Sequence, residues 1–175
     1  MTIETWAEQL AIRLKKANDK ETASVPVLTY ALIIVINFAI PVICSLTIGS
    51  LTRSLPGTLL SIIAFTAIRA VSGGFHFKSA VVCILITTLI TATPPHIPLP
   101  NTWLVPLTIA SVLIFAMFAP ANIKGYARMP EKYFPLLKVC SIAMVCANLA
   151  LQSKIVAIVF LIQALLLLPF PNKEV

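Results

Sequence analysis

Charge is what this chain is short of. Asp, Glu, Lys and Arg make up 11% of its 175 residues, and 59% are apolar, where soluble proteins carry about a quarter and about a half. A soluble globule is excluded. Six acidic against thirteen basic residues leave a net charge of +7, and the charges avoid most of the chain. None occurs between Glu21 and Arg53, and none in the 45 residues between Lys78 and Lys124. Since a spanning helix takes about 20 apolar residues, the first interval holds one span and the second holds two. No carboxylate falls inside an apolar run, which argues against a proton-coupled exporter. Five glycines are too few for a phosphate-cradling loop, and neither His-Glu-x-x-His nor Gly-x-Ser-x-Gly occurs, so zinc-protease and serine-hydrolase chemistry lack their residues.

The four cysteines, Cys44, Cys83, Cys140 and Cys146, all lie in apolar segments. A disulfide framework would place them in loops of an oxidising compartment, so free thiols are expected. The charged opening, with no short apolar segment and cleavage site, indicates no removable signal peptide.

What is present reads as an all-α polytopic membrane protein. Residues 1–21 set Ile3, Trp6, Ala7, Leu10, Leu14 and Ala17 on one stripe of helical period, with Glu4, Glu8, Lys15, Lys16 and Asp19 elsewhere. That pattern fits an amphipathic helix lying on a membrane surface, or a soluble cap on the inner loops. Six spans follow, at residues 27–50, 55–71, 79–93, 103–119, 135–152 and 155–170. Pro41 should kink the first, Leu55-Pro56 opens the second, and the run Thr93-Pro94-Pro95-His96-Ile97-Pro98-Leu99-Pro100 stops the third. Trp103 anchors the entry of the fourth. Spans two and three are short, so Arg69 and Lys78 should snorkel or line a polar dip. The expected organisation is an interfacial helix at 1–21 and a transmembrane domain at 22–175.

A cytoplasmic start puts eleven of the thirteen basic residues on the inner side, leaving only Arg53 and Lys154 outside. All six acidic residues fall inside as well, so that face carries about +5 and would attract acidic partners or anionic headgroups. Both termini are then cytoplasmic.

The join of spans two and three carries the residues with chemistry. It reads Arg69-Ala70-Val71-Ser72-Gly73-Gly74-Phe75-His76-Phe77-Lys78-Ser79-Ala80-Val81-Val82-Cys83. Paired glycines end a helix and permit positive φ or close backbone approach. On one continuous helix His76 and Cys83 would lie about 10.5 Å apart along the axis, beyond the roughly 3 Å that a base and nucleophile require. A working pair needs His76 on non-helical chain folded back over the start of span three. Such chain is tolerated at membrane depth only where protein buries it or a wet cavity meets it. His96, the other imidazole, sits in the outer Pro-rich turn. Arg69 is placed to hold a substrate carboxylate or an oxyanion. No carboxylate is available to orient His76, leaving Ser72, Asn148 or a backbone carbonyl. On spacing alone, a packing cysteine, a headgroup-contacting histidine and an ordinary turn account for the same residues.

At this segment the chain resembles the accessory gene regulator protein B family, membrane-embedded cysteine endopeptidases of Gram-positive bacteria. The resemblance rests on Arg69, Gly73-Gly74, His76 and Cys83 at the family's spacing. Phe118-Ala119-Pro120-Ala121 and the basic loop with Lys124, Arg128 and Pro130 support it, and size and span count agree along almost the whole chain. It implies His76 and Cys83 as the catalytic pair, with Arg69, Gly73, Gly74 and Lys78 around the substrate or oxyanion, and neither cofactor nor metal. It further implies cleavage of a small precursor peptide near its C-terminus through a thioester, release of an acidic tail, and closure of a thiolactone by a Cys of the peptide to give a quorum-sensing signal. The implied partners are that peptide, membrane lipids and a second copy in a homodimer, with no nucleic acid; the implied location is the bacterial plasma membrane. Here the loop after Pro120 reads Ala121-Asn122-Ile123-Lys124, without the acidic residue often found in relatives. The contrasting reading, from another class, is a non-enzymatic transporter or peptide-binding scaffold.

The charge distribution makes the topology testable. With the native cysteines replaced, Ile97→Cys should react with an impermeant thiol reagent added to intact cells and Lys124→Cys should not. Outside labelling at position 124 would break the six-span arrangement.

Overall fold

The computed structural model describes residues 3–18, 22–75, 79–121 and 130–169. They form α1 (Ile3–Ala17), α2 (Val25–Leu51), α3 (Leu55–Ser72), α4 (Ala80–Ala92), α5 (Asn101–Phe118), α6 (Phe134–Leu151) and α7 (Lys154–Leu165), with single 3-10 turns at Pro94–His96 and Glu131–Tyr133. The boundaries follow proline and glycine. Proline opens α2, α3 and α6 at the first turn, where its missing N–H costs nothing. The Pro-rich run closes α4, and Gly73, at φ 68°, closes α3. α2 continues as one helix through the buried Pro41.

Among the described residues four helices are long and apolar enough to cross a membrane: Val25–Leu51, Leu55–Ser72, Asn101–Phe118 and Glu131–Leu151, the last counted with its leading 3-10 turn. α4 and α7, at 13 and 12 residues, reach only about 20 Å at 1.5 Å per residue. Both fall short of a hydrocarbon core of about 30 Å. α4 is cut short by its proline stop, and α7 passes into a turn after Leu165. The described residues thus form an all-helical membrane protein in which four full-length helices are joined by two short apolar ones.

α7 sits at the centre, packed by α3 and α5, while α2 lies outside against α1, α3 and α4. Residues 156–160 of α7 are all buried, together with Phe65 and Ile68 of α3, Phe115 of α5 and Val145 of α6. Large apolar side chains such as Ile43, Ile63, Leu113 and Val139 point outward, whereas Ser45, Thr58, Ser61, Ser111 and Ser141 are fully enclosed. That inversion of the soluble pattern suits a lipid surround, where small residues let helix backbones close up. Ser45 Oγ and Thr91 Oγ1, 2.6 Å apart, tie α2 to α4.

α1 packs along α2 and reaches α4. Its buried residues are Ala7 and Ala11, while Trp6 and Leu14 from the expected stripe are exposed. The contact with the bundle therefore uses the small alanines, one of them outside that stripe, because only small side chains permit close approach to α2.

The helices run alternately up and down, so the molecule has two ends. At one, His96 Nε2 lies 3.2 Å from Thr52 Oγ1 and 3.1 Å from Ser54 Oγ, joining the α2–α3 and α4–α5 turns. The α6–α7 turn at Gln152 and Ser153 belongs to the same end. The other end gathers the end of α3, the start of α4, the end of α5 and the end of α7.

Gly49 of α2 faces Thr58 of α3 so closely that an added Cβ would come 2.5 Å from Thr58 Oγ1 and 2.8 Å from Thr58 Cβ. Gly49→Ala should force the helices apart and cost about 1–3 kcal/mol, read as a lowered melting temperature in detergent. Ser50→Ala, at an exposed neighbour, should leave it unchanged.

Candidate functional site

The site is built where α3 stops. After Ser72 the chain leaves the helix through Gly73 (φ 68°) and Gly74 (φ 127°), conformations that a residue with a Cβ adopts only at a cost. The freed backbone is then bonded to two other elements. Gly74 N–H donates to Ala121 O (2.9 Å) and Ala121 N–H donates to Ser72 O (3.0 Å), which makes Gly73 and Ala121 a one-residue parallel bridge. Phe75 N–H donates to Leu166 O, just past α7, at 2.9 Å. The glycine pair, read from sequence as a break, is a break docked on the ends of α5 and α7.

Arg69 lies one turn back on α3. Its Nη2 donates to Phe75 O at 2.6 Å and its Nη1 to Gln163 Oε1 at 3.3 Å. Its guanidinium carbon sits 5.7 Å from the Phe65 ring centroid, within cation–π range. Arg69 therefore turns into a polar dip between α3 and α7 instead of snorkelling out, and its fork is partly engaged by the protein itself. Gln163 is fully buried; its Nε2 donates to Ser72 Oγ (3.0 Å) and to Gly73 O (2.7 Å).

Cys83 lies in the first turn of α4, part-buried and unpaired by any disulfide. Its amide N–H donates to Ser79 O at 3.0 Å. Since the start of α3 and the turn that closes α4 meet through Ser54 and His96, the end of α3 and the start of α4 lie together at the opposite end, so the thiol and the docked break are at the same end of the bundle. Arg69, Gly73, Gly74 and Cys83 are thus brought to the same end. His76 and Lys78 fall outside the described residues, as does the basic loop at 122–129.

Asn148, one of three groups suggested for orienting His76, is at the opposite end. Its Nδ2 donates to Thr108 Oγ1 at 3.3 Å and its Oδ1 accepts from Ser153 N–H at 3.2 Å, so it closes the α6–α7 turn. Ser72 stays at the site, buried and bonded to Gln163. Cys44 sits on α2 and Cys140 and Cys146 on α6, and all three are free thiols. The sequence reading missed Gln163. The available signal was a lone amide in the otherwise apolar run 155–168, a residue class that is expensive in a membrane unless it is used. Among the described residues no cluster of His, Cys, Asp and Glu could hold a metal ion.

A protein of Halalkalibacterium halodurans described as AgrB-like is 29% identical over 101 residues, which is 58% of this chain and 51% of that protein. The chain thus aligns with about half the length of that curated relative. No solved structure matches. The family model for Accessory gene regulator B matches residues 4–170, from α1 through the docked break and the thiol to the end of α7; this membrane protein belongs to the Accessory gene regulator B family.

Proposed function

We propose that the protein is a membrane-embedded cysteine endopeptidase that cuts a small precursor peptide near its C-terminus, with Cys83 as nucleophile and His76 as its base. The observation that carries this reading is that Cys83, in the first turn of α4, lies at the same end of the bundle as the Gly73-Gly74 break, whose last described residue, Phe75, is bonded by Arg69 and directly precedes His76. Family membership points to autoinducing-peptide processing in general; the chemical steps below are those that the resemblance implies for Cys83 and His76.

In those steps the thiol of Cys83 gives its proton to His76 and attacks the scissile carbonyl. The acidic tail departs as an amine that takes the proton, leaving a thioester on Cys83. A Cys thiolate of the peptide then attacks the thioester, closes a thiolactone and restores the Cys83 sulfur. That exchange trades one thioester for another and is nearly neutral in free energy, whereas water would destroy the intermediate. A site sunk among helix ends keeps water scarce. The acidic tail is drawn by Arg69 and Lys78 and by the basic inner face.

In this reading residues 1–21 rest on the inner membrane surface and residues 22–175 form a six-span domain with both termini cytoplasmic. α4 and α7 complete their crossings with the turns that extend them and with local thinning of the bilayer.

Incubating the protein with its precursor peptide should yield a covalent adduct that hydroxylamine cleaves, and Cys83→Ala should abolish both adduct and tail release. His76→Ala should retain binding and lose about 10²- to 10⁴-fold in rate. Changing the peptide's Cys to Ser should let the adduct persist or drain slowly to a lactone or linear acid. Full cleavage by Cys83→Ala would reduce this thiol to a packing residue and overturn the Cys–His reading.

The fork geometry gives a second expectation. Arg69→Lys should impair processing more than Lys124→Ala, because one ammonium cannot bond Phe75 O and Gln163 Oε1 in the guanidinium's bidentate manner. Wild-type activity in Arg69→Lys would remove the fork from the mechanism.

A further inference from the structure

The proposed chemistry leaves one buried polar group at the break without a task. Gln163 sits on α7 between Ile162 and Ala164 with no solvent exposure. A buried amide is costly unless bonded, and among the described residues this one bonds to the end of α3 and its break: Oε1 accepts from Arg69 Nη1, and Nε2 donates to Ser72 Oγ and Gly73 O. Through Arg69 it reaches further, because the other guanidinium nitrogen holds Phe75 O. One side chain thereby governs the two carbonyls that flank Gly74. The fit is close: a Cβ on Gly74 would lie 3.0 Å from Gln163 Nε2 and 3.1 Å from Arg69 Nη1.

We propose that Gln163 is a positioning residue of the peptidase, fixing the turn at residues 73–75 against α7 so that the chain enters residue 76 in the orientation in which His76 meets Cys83. The inference rests on the Cys–His reading above. The amide is the chemistry this task requires, since it must accept from a cation and donate to a carbonyl at once. A carboxylate would keep the first function and set oxygen against the Gly73 carbonyl. A thioether of similar length would fill the volume and perform neither. A residue needed only for helix packing would have no reason to send its donor to the turn carbonyl instead of across to a helix side chain.

The test is the reactivity of Cys83 toward iodoacetamide in full-length protein reconstituted in lipid nanodiscs, with Cys44, Cys140 and Cys146 replaced by Ala. Working base assistance should make this background react about tenfold or more faster than its His76→Ala version. Gln163→Glu, which keeps a partner for Arg69, and Gln163→Met should each lose most of that acceleration. Adding His76→Ala to Gln163→Glu should slow it no further, the non-additive signature of two residues acting through one path. Peptide cleavage should show the loss in kcat with KM little changed.

Full retention of the His76-dependent acceleration in both Gln163 variants would overturn the proposal while leaving the peptidase reading intact. So would His76→Ala slowing Gln163→Glu by the same factor as it slows the background. Loss of folding in both variants would overturn it too, by making Gln163 a stability residue. If His76→Ala leaves the thiol's rate unchanged in the background and Cys83→Ala still cleaves peptide, the Cys–His reading itself fails, and this inference fails with it.

Discussion

Ending a helix near a membrane exposes backbone groups that lipid cannot satisfy, and the arrangement at Gly73 is the answer on which this bundle's functional end depends. Ser72 O, Gly73 O, Gly74 N–H, Phe75 N–H and Phe75 O all find partners, on Ala121, Gln163, Leu166 and Arg69. These partners come from α3 itself and from the ends of α5 and α7, so the break is also a joint holding those elements together. A guanidinium in such a place needs acceptors. Gln163 Oε1 and Phe75 O supply them and the Phe65 ring lies nearby, all of them neutral. A neutral joint fits the proposed function, because a resident carboxylate would compete with an acidic peptide tail for the cation.

The same joint explains why α7 is central although it is short. A helix of 12 residues cannot be placed by the bilayer alone. It is placed by the buried run at 156–160, packed against α3 and α5, and by Gln163 and Leu166 bonding the break. The longest helix, α2, has the reverse character, with apolar side chains outward and only Pro41, Ser45 and Gly49 buried. Length serves spanning at the periphery, and hydrogen bonding serves position at the centre.

The sequence reading recovered much of the fold for physical reasons that act locally. Charge-free intervals mark apolar helices, and proline and paired glycines mark their ends, so α2 at 25–51 and α3 at 55–72 fall within two residues of the reading at 27–50 and 55–71. Six apolar segments were legible; which of them have full spanning length was not, because helix length depends on where capping and turn bonds form. Thus α7 stops at Leu165 although its apolar run continues. The stripe on α1 showed the helix, but its contact through Ala7 and Ala11 depends on the shape of α2. Arg69, Gly73, Gly74 and Cys83 could be named because they are close in sequence. Gln163 bonds residues 90 to 94 positions away, and no local pattern encodes that pairing. The suggestion of Asn148 failed for the same reason: a buried amide announces that it has a partner, and only the packing of α5 and α6 shows that the partner is Thr108.

A thiol near a membrane is useful only if its surroundings exclude water and still hold polar groups in fixed directions. These demands conflict, since apolar walls cannot orient anything and mobile polar groups bring water with them. Small side chains and backbone carbonyls resolve the conflict here. Ser72, Gly73, Gly74 and Ala121 add almost no bulk, which lets three helix ends approach closely enough for backbone bonds of 2.9 to 3.0 Å. The longer polar groups, Arg69 and Gln163, then point into the joint already partnered. Order at the site thus comes from the protein's own hydrogen bonds, formed on folding, which is the condition under which the proposed Cys–His chemistry gains most from preorganised geometry.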